Sequence, residues 1–283
     1  MLGNSVPHLL AKATVRLRRA GVEGPERDAS ILLEHAIGAR LACLEENEYF
    51  SLSRKRRNAF EFLVRQRLSR QPVSQIVGRR EFYGRVFLVT PDVLDPRPES
   101  ETLINLARRS RFRSVLDVGT GSGCLLLTLL AEGIAETGIG IDVCDRALKV
   151  STRNAETLGL GKICSFAQSN WFSAVEGKFD LIISNPPYIS GNEFASLAPE
   201  VRLHEPRHAL TLDGDGTEAY RILAGEAKNH LNSDGRLMIE IGSTQSKPVT
   251  KIFEKHGYRL NRAERDLEGN LRALELIEDD SHG

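Results

Sequence analysis

Hydrophobic and polar positions follow two different patterns along this chain of 283 residues. From Val6 to about Arg70 the apolar residues recur at helical spacing, which predicts an N-terminal region made of helices. Pro25 is placed to begin a helix and Gly38 to end it, and Ser53 is placed to cap a basic helix. The first pattern therefore predicts a small helical domain.

A short region of strand-like and proline-containing sequence follows the helices. Residues 74–77 and 82–89 form two apolar runs around Gly78 and Gly84, which predicts a β-hairpin. Three prolines in residues 91–98 indicate a linker. We therefore divide the chain into residues 1–72, 73–98 and 99–283.

The second pattern, from Ser114 onward, alternates strands with helices. The predicted strands are 114–118, 138–142, 163–168, 179–184, 235–241, 259–265 and 271–277, and the predicted helices are 123–131, 146–158, 216–230 and 248–256. Such alternation predicts an α/β domain with a mainly parallel sheet covered by helices. The last two strands have no helix between them, so we expect an antiparallel end to that sheet.

The tetrapeptide Asn185-Pro186-Pro187-Tyr188 follows one buried strand of this predicted sheet. Prolines cannot donate to a strand ladder, so the chain must turn out at the carboxyl edge, where open α/β sheets bind ligands. A carboxamide, rigid carbonyls and an aromatic face suit a planar group that carries an NH2. The alternative is a proline-stiffened loop with a half-buried tyrosine.

A glycine-rich loop follows the first strand of the sheet. The segment reads Asp117-Val118-Gly119-Thr120-Gly121-Ser122-Gly123, and its glycines allow a ligand to approach the backbone closely. Cys124 stands where a dinucleotide fingerprint would need glycine. Asp142 ends the next strand, where its carboxylate is placed to accept ribose hydroxyls or, alternatively, to cap the following helix. Acidic Asp117 favours a cofactor that carries a positive charge and an amine.

Composition and charge are those of an ordinary globular protein, with 41% hydrophobic and 27% charged residues. No apolar run is long enough to span a bilayer, and residues 1–20 lack a cleavage signature, so we expect a cytoplasmic protein. The four cysteines show no metal-ligand spacing, and no metal is expected. Residues 50–85 carry ten basic and two acidic side chains, which suit either a solvated helix face or docking of a macromolecule that is acidic or bound to RNA.

The glycine loop, Asp142 and the tetrapeptide together resemble class I methyltransferases that use S-adenosylmethionine. Residues 96–101, Pro-Arg-Pro-Glu-Ser-Glu, are similar to an element of the glutamine methyltransferases that act on peptide chain release factors. Further matches in the same order are residues 79–82, 170–172, 199–202, 205–206 and 240–242. This sequence departs from the family pattern at Asp95, usually aliphatic, at Ser100, usually threonine, and in a less charged segment 269–272.

The resemblance implies a Rossmann-like, mainly parallel seven-stranded sheet, preceded by a helical domain that docks the substrate and a hairpin linker. It implies that a glutamine of the release factor's Gly-Gly-Gln loop is methylated on its amide nitrogen, with S-adenosylhomocysteine as product. The implied cofactor residues are Asp117, Gly119, Thr120, Gly121, Ser122, Gly123, Asp142, Trp171 and Asn185; the implied catalytic and substrate residues are Asn185, Pro186, Pro187 and Tyr188. Trp171 is alternatively a core aromatic. Arg97 and Glu99 would order the linker, steer the substrate or form a plain salt bridge.

Three other functions remain open from the sequence. A ribosomal-protein glutamine methyltransferase would share almost every one of these motifs. A nucleic-acid adenine or cytosine amino-methyltransferase would also bind a planar NH2, although no nucleic-acid-binding module is recognisable. A catalytically inactive binding module is disfavoured because the cofactor and amide motifs are both intact. We expect a monomer whose partner is the release factor, with neither a membrane nor direct nucleic-acid contact.

Overall fold

The computed structural model of the protein describes residues 4–279. The helices are α1 (Val6–Arg19), α2 (Pro25–Ile37), α3 (Glu46–Phe50), α4 (Arg54–Leu68), α5 (Val73–Val77), α6 (Glu101–Ala107), α7 (Cys124–Ala131), α8 (Asp145–Thr157), α9 (Gly191–Phe194), α10 (Pro199–His204), α11 (Glu218–Glu226) and α12 (Ser246–Lys255). Within this range no helix has the length and apolar character needed to cross a membrane. Residues 1–3 and 280–283 of the predicted domains lie outside the described range.

The strands form a two-stranded hairpin and a seven-stranded sheet. They are β1 (Arg79–Phe82), β2 (Arg85–Leu88), β3 (Phe112–Val118), β4 (Ala135–Asp142), β5 (Cys164–Gln168), β6 (Phe179–Ser184), β7 (Leu231–Glu240), β8 (Tyr258–Arg265) and β9 (Leu271–Glu278). The sheet order is β5-β4-β3-β6-β7-β9-β8, with β3 to β7 parallel and the pairs β7–β9 and β8–β9 antiparallel. The predicted α/β sheet with an antiparallel end is confirmed.

Both faces of the seven-stranded sheet are covered, as its nearly continuous apolar strands require. Alternate residues point to opposite faces, so Val115 and Leu181 enter one core while Leu116 and Ile182 enter the other. The first core includes buried side chains of α6 and α7, and the second includes those of α11 and α12. Burial of each such side chain contributes roughly 1.5–3 kcal/mol.

By chain contacts the protein divides into two compact units. The first holds the described residues up to Gly78 together with Ala198–His204, and the second holds Arg79–Leu197 and the described residues from Glu205. In the first unit, α1, α2 and α4 bury a common apolar core. The predicted helix signals are confirmed, because Pro25 begins α2, Gly38 ends it with φ 78°, and the Ser53 side chain caps α4.

The hairpin consists of β1 and β2, paired antiparallel through Arg79↔Leu88 to Phe82↔Arg85. The strand predicted over residues 74–77 is wrong, since this segment lies in α5. Pro72 precedes that helix and its carbonyl accepts a hydrogen bond from the N–H of Ile76 (3.0 Å). Gly78, with φ 71°, then ends the turn. Too few residues separate Pro72 from Gly78 for helical periodicity to show in the sequence.

A buried ion-pair network lies inside the first unit. The Arg67 side chain, 6% exposed, donates through Nε to Asp28 Oδ2 (2.8 Å) and through Nη2 to Glu200 Oε1 (2.9 Å). Arg70 donates to the other oxygen of Glu200 (2.6 Å). Glu200 belongs to α10, so these bonds hold that helix within the first unit although its neighbours in sequence belong to the second.

Replacing Arg67 by alanine should lower the free energy of unfolding by about 3–5 kcal/mol, because it leaves the Asp28 carboxylate buried without its main partner. Arg65→Ala is the matched control, since Arg65 is 73% exposed on the same helix and its ion pair contributes about 1 kcal/mol or less. Urea denaturation followed by circular dichroism measures both variants. Equal stability of the two variants would contradict the network's importance.

Candidate active site

The site lies where the order of the parallel strands reverses. From β3 the chain continues to β4 and β5 on one side of the sheet, while β6 pairs with the other side of β3 and β7 follows beyond it. Val118 and Ser184 end β3 and β6 in register, and Ser184 Oγ donates to the Val118 carbonyl (2.7 Å). The chain segments after these two residues therefore leave the sheet side by side at a topological switch point.

A cavity of about 310 Å³ opens beside this point. Seven of the residues singled out in the sequence line it: Gly119, Gly121, Asp142, Trp171, Asn185, Pro186 and Pro187. Its walls are largely apolar, with Val118, Ile141 and Leu212 among the contributors. Asp117, Thr120, Ser122 and Tyr188 are not among its lining residues but adjoin them in sequence, and Gly123 lies two positions after Gly121.

The glycine loop adopts backbone conformations that side chains disfavour. Gly119 and Gly121 have φ of 76° and 54°, and a Cβ added at either position would project into open space. Gly123, with φ 79°, precedes α7, and a Cβ there would press on Leu127. The first two glycines therefore leave backbone exposed to a ligand, and the third allows close packing of the helix.

Asp142 links the two loops that flank the cavity. Its Oδ2 accepts from the N–H of Gly121 (3.0 Å), and its Oδ1 accepts from the N–H of Cys144 (2.9 Å). Cys144 is the N-cap residue of α8, so Asp142 bonds just ahead of the helix rather than capping its first turn. An ionised carboxylate offers about four acceptor positions, which leaves capacity for ligand hydroxyls.

Asp117 lies wholly buried in β3, beneath the glycine loop. Burial raises the pKa of its carboxyl from 3.8 to about 7, opposed by the hydrogen bond that Thr120 Oγ1 donates to Oδ2 (2.6 Å). The negative charge of Asp142 adds to the increase. Oδ1 has no hydrogen-bond partner within the described part of the chain. A cation held near this acid would favour its ionised form.

Asn185 is held by a chain of hydrogen bonds. Its Nδ2 donates to Ser100 Oγ (3.0 Å), Ser100 Oγ donates to Glu240 Oε2 (2.5 Å), and the Tyr188 hydroxyl donates to Glu240 Oε1 (3.2 Å). Glu240 ends β7 and is 1% exposed. Because the Asn185 NH2 is engaged by Ser100, its carbonyl oxygen remains the acceptor that this side chain offers at the cavity.

The position of Trp171 fits both interpretations of this residue, as a cofactor contact and as a core aromatic. It lines the cavity and is half-buried, while it also packs against the second sheet core. Its φ of 52° is unusual for a bulky residue, and Ser169 Oγ donates to its carbonyl (2.6 Å). This turn places the indole at the end of β5 beside the cavity.

Arg97 and Glu99 are not among the residues that line the cavity. Arg97 Nη2 donates to both carboxylate oxygens of buried Glu205 (2.7 Å each), within the second unit. Asp95, one of the departures from the family pattern, is also buried and lies 3.7 Å from Arg80 of β1. In this chain the position that is usually aliphatic therefore holds an acid, which forms an ion pair with Arg80 of the hairpin.

The sequence motifs alone give neither Ser100 nor Glu240 a role in the site. Glu240 could have been identified from the sequence, because it ends a buried apolar strand, as Asp142 does. Ser100 could not have been identified in this way, since its importance depends on a contact with Glu240, 140 positions away in the chain.

Two family models match the chain: "PrmC N-terminal domain" over residues 8–78 and "Methyltransferase small domain" over residues 97–217. The chain is 46% identical to a release factor glutamine methyltransferase of Cereibacter sphaeroides, over 94% of this chain and 95% of that protein. It is 39% identical to the protein of that name from Rhodospirillum rubrum, over 94% and 83%. A solved structure of ribosomal protein L11 methylase from Lactobacillus delbrueckii is similar in fold alone, with TM-score 0.51, 21% identity, and coverage of 68% of this chain and 84% of that one.

Asp117→Asn should flatten the pH dependence of stability. The pKa of the acid rises from 3.8 to about 7 on folding, so the folded protein retains a proton that the unfolded chain releases, and this contribution is lost as pH rises towards 7. The variant should therefore gain stability relative to the wild type as the pH rises from about 5 to about 7, with no further gain above that. Urea denaturation at several pH values measures the difference.

Asp180→Asn is the control for Asp117→Asn. The pKa of Asp180 is lowered, because hydrogen bonds from Asn232 and the backbone outweigh the effect of burial. Its carboxylate is therefore ionised throughout the same pH window, and its removal should leave the slope unchanged. The same slope in Asp117→Asn and the wild type would contradict the raised pKa.

Proposed function

Because this chain belongs to the release factor glutamine methyltransferase family, we propose that it methylates peptide chain release factors with S-adenosylmethionine as the methyl donor. The acceptor in this proposal is the side-chain amide nitrogen of the glutamine in the Gly-Gly-Gln loop. The observation that carries the proposal is the position of Asn185, which lines the cavity beside Gly119 and Gly121 with its NH2 held by Ser100.

Several features of the cavity support S-adenosylmethionine as the cofactor. The exposed backbone of Gly119 and Gly121 provides the close approach that its methionine part would need. Asp142 has spare acceptor capacity for ribose hydroxyls, and Trp171 offers an aromatic face for adenine. The unpartnered oxygen of buried Asp117 favours a cationic ligand. When bound, the cofactor supplies an electrophilic methyl group.

The tetrapeptide would orient the acceptor amide. An amide nitrogen is a poor nucleophile because its lone pair is delocalised into the carbonyl. Asn185 Oδ1 and the Pro186 carbonyl would each accept one N–H, fixing the nitrogen and increasing its electron density. Two consecutive prolines make this carbonyl array rigid, since each fixes its own φ. Orientation of this kind contributes roughly 7–11 kcal/mol to lowering a barrier.

Tyr188 would form a wall of the acceptor site. Its hydroxyl donates to Glu240, which fixes the position of the hydroxyl end of the ring. Burial raises the pKa of this hydroxyl above its ordinary value, and the charge of Glu240 raises it further, so Tyr188 stays protonated and donates. A neutral ring anchored by its hydroxyl would stack on the carboxamide and exclude water.

No residue of the tetrapeptide needs to remove a proton before methyl transfer. The amide N–H becomes strongly acidic only once the nitrogen is alkylated, so the proton can leave to solvent afterwards. The contributions of Asn185, Pro186 and Tyr188 in this proposal are therefore orientation and exclusion of water, not general base catalysis.

Transfer of labelled methyl groups tests the substrate assignment. Purified enzyme and labelled S-adenosylmethionine are combined with release factor, with a Gly-Gly-Gln→Gly-Gly-Ala release factor as the matched control, and in parallel reactions with ribosomal protein and with nucleic acid. Label on the wild-type factor alone is the expected result. Label that enters ribosomal protein or nucleic acid instead would support one of the alternative substrates and overturn the release-factor assignment.

Asn185→Ala should lower turnover about 10²–10³-fold, as expected for loss of one oriented polar partner of the reacting group. Affinity for the cofactor should change far less, because Gly119, Gly121 and Asp142 remain. Steady-state kinetics and calorimetry give the two quantities. The matched control is Asn232→Ala, which removes an amide that bonds Asp180 at the opposite edge of the sheet. Equal losses of turnover and cofactor affinity in Asn185→Ala would contradict its role.

A further inference from the structure

A buried carboxylate lies behind the proposed acceptor site. Glu240 ends β7, and its two oxygens accept from different parts of the site: Oε2 from Ser100 Oγ (2.5 Å) and Oε1 from the Tyr188 hydroxyl (3.2 Å). Ser100 in turn accepts from Asn185 Nδ2 (3.0 Å). One acid thus connects to both side chains that would contact the substrate amide.

We propose that Glu240 is a positioning residue that fixes which end of the Asn185 carboxamide meets the substrate. This inference rests on the proposed function, because it concerns the orientation of the acceptor amide. Glu240 itself does not line the cavity. It acts through Ser100 and Tyr188.

The orientation of the Asn185 carboxamide depends on the direction of each hydrogen bond in this chain. A serine hydroxyl has one proton, and Ser100 donates it to Glu240, so Ser100 meets Asn185 only as an acceptor. Asn185 must then turn its NH2 towards Ser100 and its carbonyl oxygen away. Without the carboxylate, Ser100 could donate to Asn185 Oδ1 instead, and the carboxamide could flip. A flipped Asn185 would present N–H groups to the N–H groups of the substrate and would repel them.

The ionised carboxylate is required for this arrangement. Both Ser100 and Tyr188 donate to Glu240, and an ionised carboxylate is an acceptor only. A protonated Glu240 would itself be a donor on one oxygen, so one of its two partners would have to turn. The negative charge also strengthens the chain, because each bond polarises the next and increases the electron density on the Asn185 carbonyl.

The surroundings of Glu240 place its titration in an accessible range. Burial raises the pKa to about 7, opposed by the Ser100 hydrogen bond and by the charge of Arg272 on neighbouring β9, while Glu99 beside Ser100 raises it. The Tyr220 hydroxyl of α11 donates to the Glu240 backbone carbonyl (3.1 Å). Burial raises the pKa of Cys124 in α7, and the charge of Glu240 adds to that increase. Orientation of Asn185 should therefore be lost as the pH falls below about 7.

Kinetics of four variants test the proposal at saturating cofactor. Glu240→Gln and Ser100→Ala should lower kcat about 10–100-fold. Effects of this size are typical when a residue that hydrogen-bonds and orients a metal-binding side chain is replaced, and Glu240 would orient Asn185 in the same indirect way. Cofactor affinity should change little. Ser100→Thr keeps the hydroxyl and should retain much more turnover than Ser100→Ala. Glu275→Gln controls for the loss of a fully buried carboxylate elsewhere in the sheet.

The pH profile separates positioning from a merely structural role. Wild-type kcat should rise with pH through a midpoint near 7, and Glu240→Gln should lose this step. Asp117 titrates in the same range, so saturating cofactor is used and Asp117→Asn is measured beside it; the step should persist there. An unchanged kcat and an unchanged pH profile in both Glu240→Gln and Ser100→Ala would overturn the proposal. If Glu240→Gln does not fold, Ser100→Ala against Ser100→Thr decides.

A measurement without substrate keeps this inference distinct from the proposed function. The NMR signals of the Asn185 NH2, assigned by their absence in Asn185→Ala, should shift with pH in the wild type and in Ser100→Thr. They should not shift in Glu240→Gln or Ser100→Ala. Signals that titrate identically in all four proteins would overturn the inference. A wild type that shows the titration but methylates no release factor would refute the proposed substrate and leave the positioning role supported.

Discussion

The parallel pairing of β3 with β6 is the constraint on which the site depends. These strands lie far apart in sequence, and their apolar residues enter both cores of the sheet. Their register places Val118 beside Ser184, so the glycine loop and the tetrapeptide emerge together at the switch point. A shift of one residue would exchange the two faces of β6 and would move Asn185 away from the cavity. Core packing and site geometry are therefore fixed by the same strand pairing.

Three buried acids surround this point, each at or near the carboxyl end of a strand: Asp117, Asp142 and Glu240. A buried carboxylate is costly unless it is hydrogen-bonded, and all three accept bonds from residues of the site. Asp142 accepts hydrogen bonds from two backbone N–H groups, whereas Glu240 accepts them from the side chains of Ser100 and Tyr188. For Asp117 and Glu240 burial raises the pKa to about 7, so the site combines orienting bonds with groups whose charge responds to pH.

The sequence allowed prediction of the sheet, its antiparallel end and the helical N-terminal region, because these depend on apolar periodicity over many residues. Short elements could not be predicted from such periodicity: α5 was predicted as a strand, and α6 was not predicted at all. The motifs identified residues that the structure brings to one cavity, including Gly119, Asp142 and Asn185. The bonds behind them could not be inferred, since Asn185, Ser100 and Glu240 meet only through tertiary packing. Nor does local sequence indicate that α10 belongs to the first unit, which depends on the bonds of Glu200 with Arg67 and Arg70.

The central claim is that Asn185 presents its carbonyl oxygen to the amide of the acceptor glutamine. A crystal structure of the protein with S-adenosylhomocysteine and a release-factor peptide that contains Gly-Gly-Gln tests this claim most directly. We expect the glutamine NH2 to donate to Asn185 Oδ1 and to the Pro186 carbonyl, while Asn185 Nδ2 still donates to Ser100 Oγ and Ser100 Oγ still donates to Glu240. A glutamine bound away from Asn185, or an Asn185 whose NH2 faces the peptide, would contradict it.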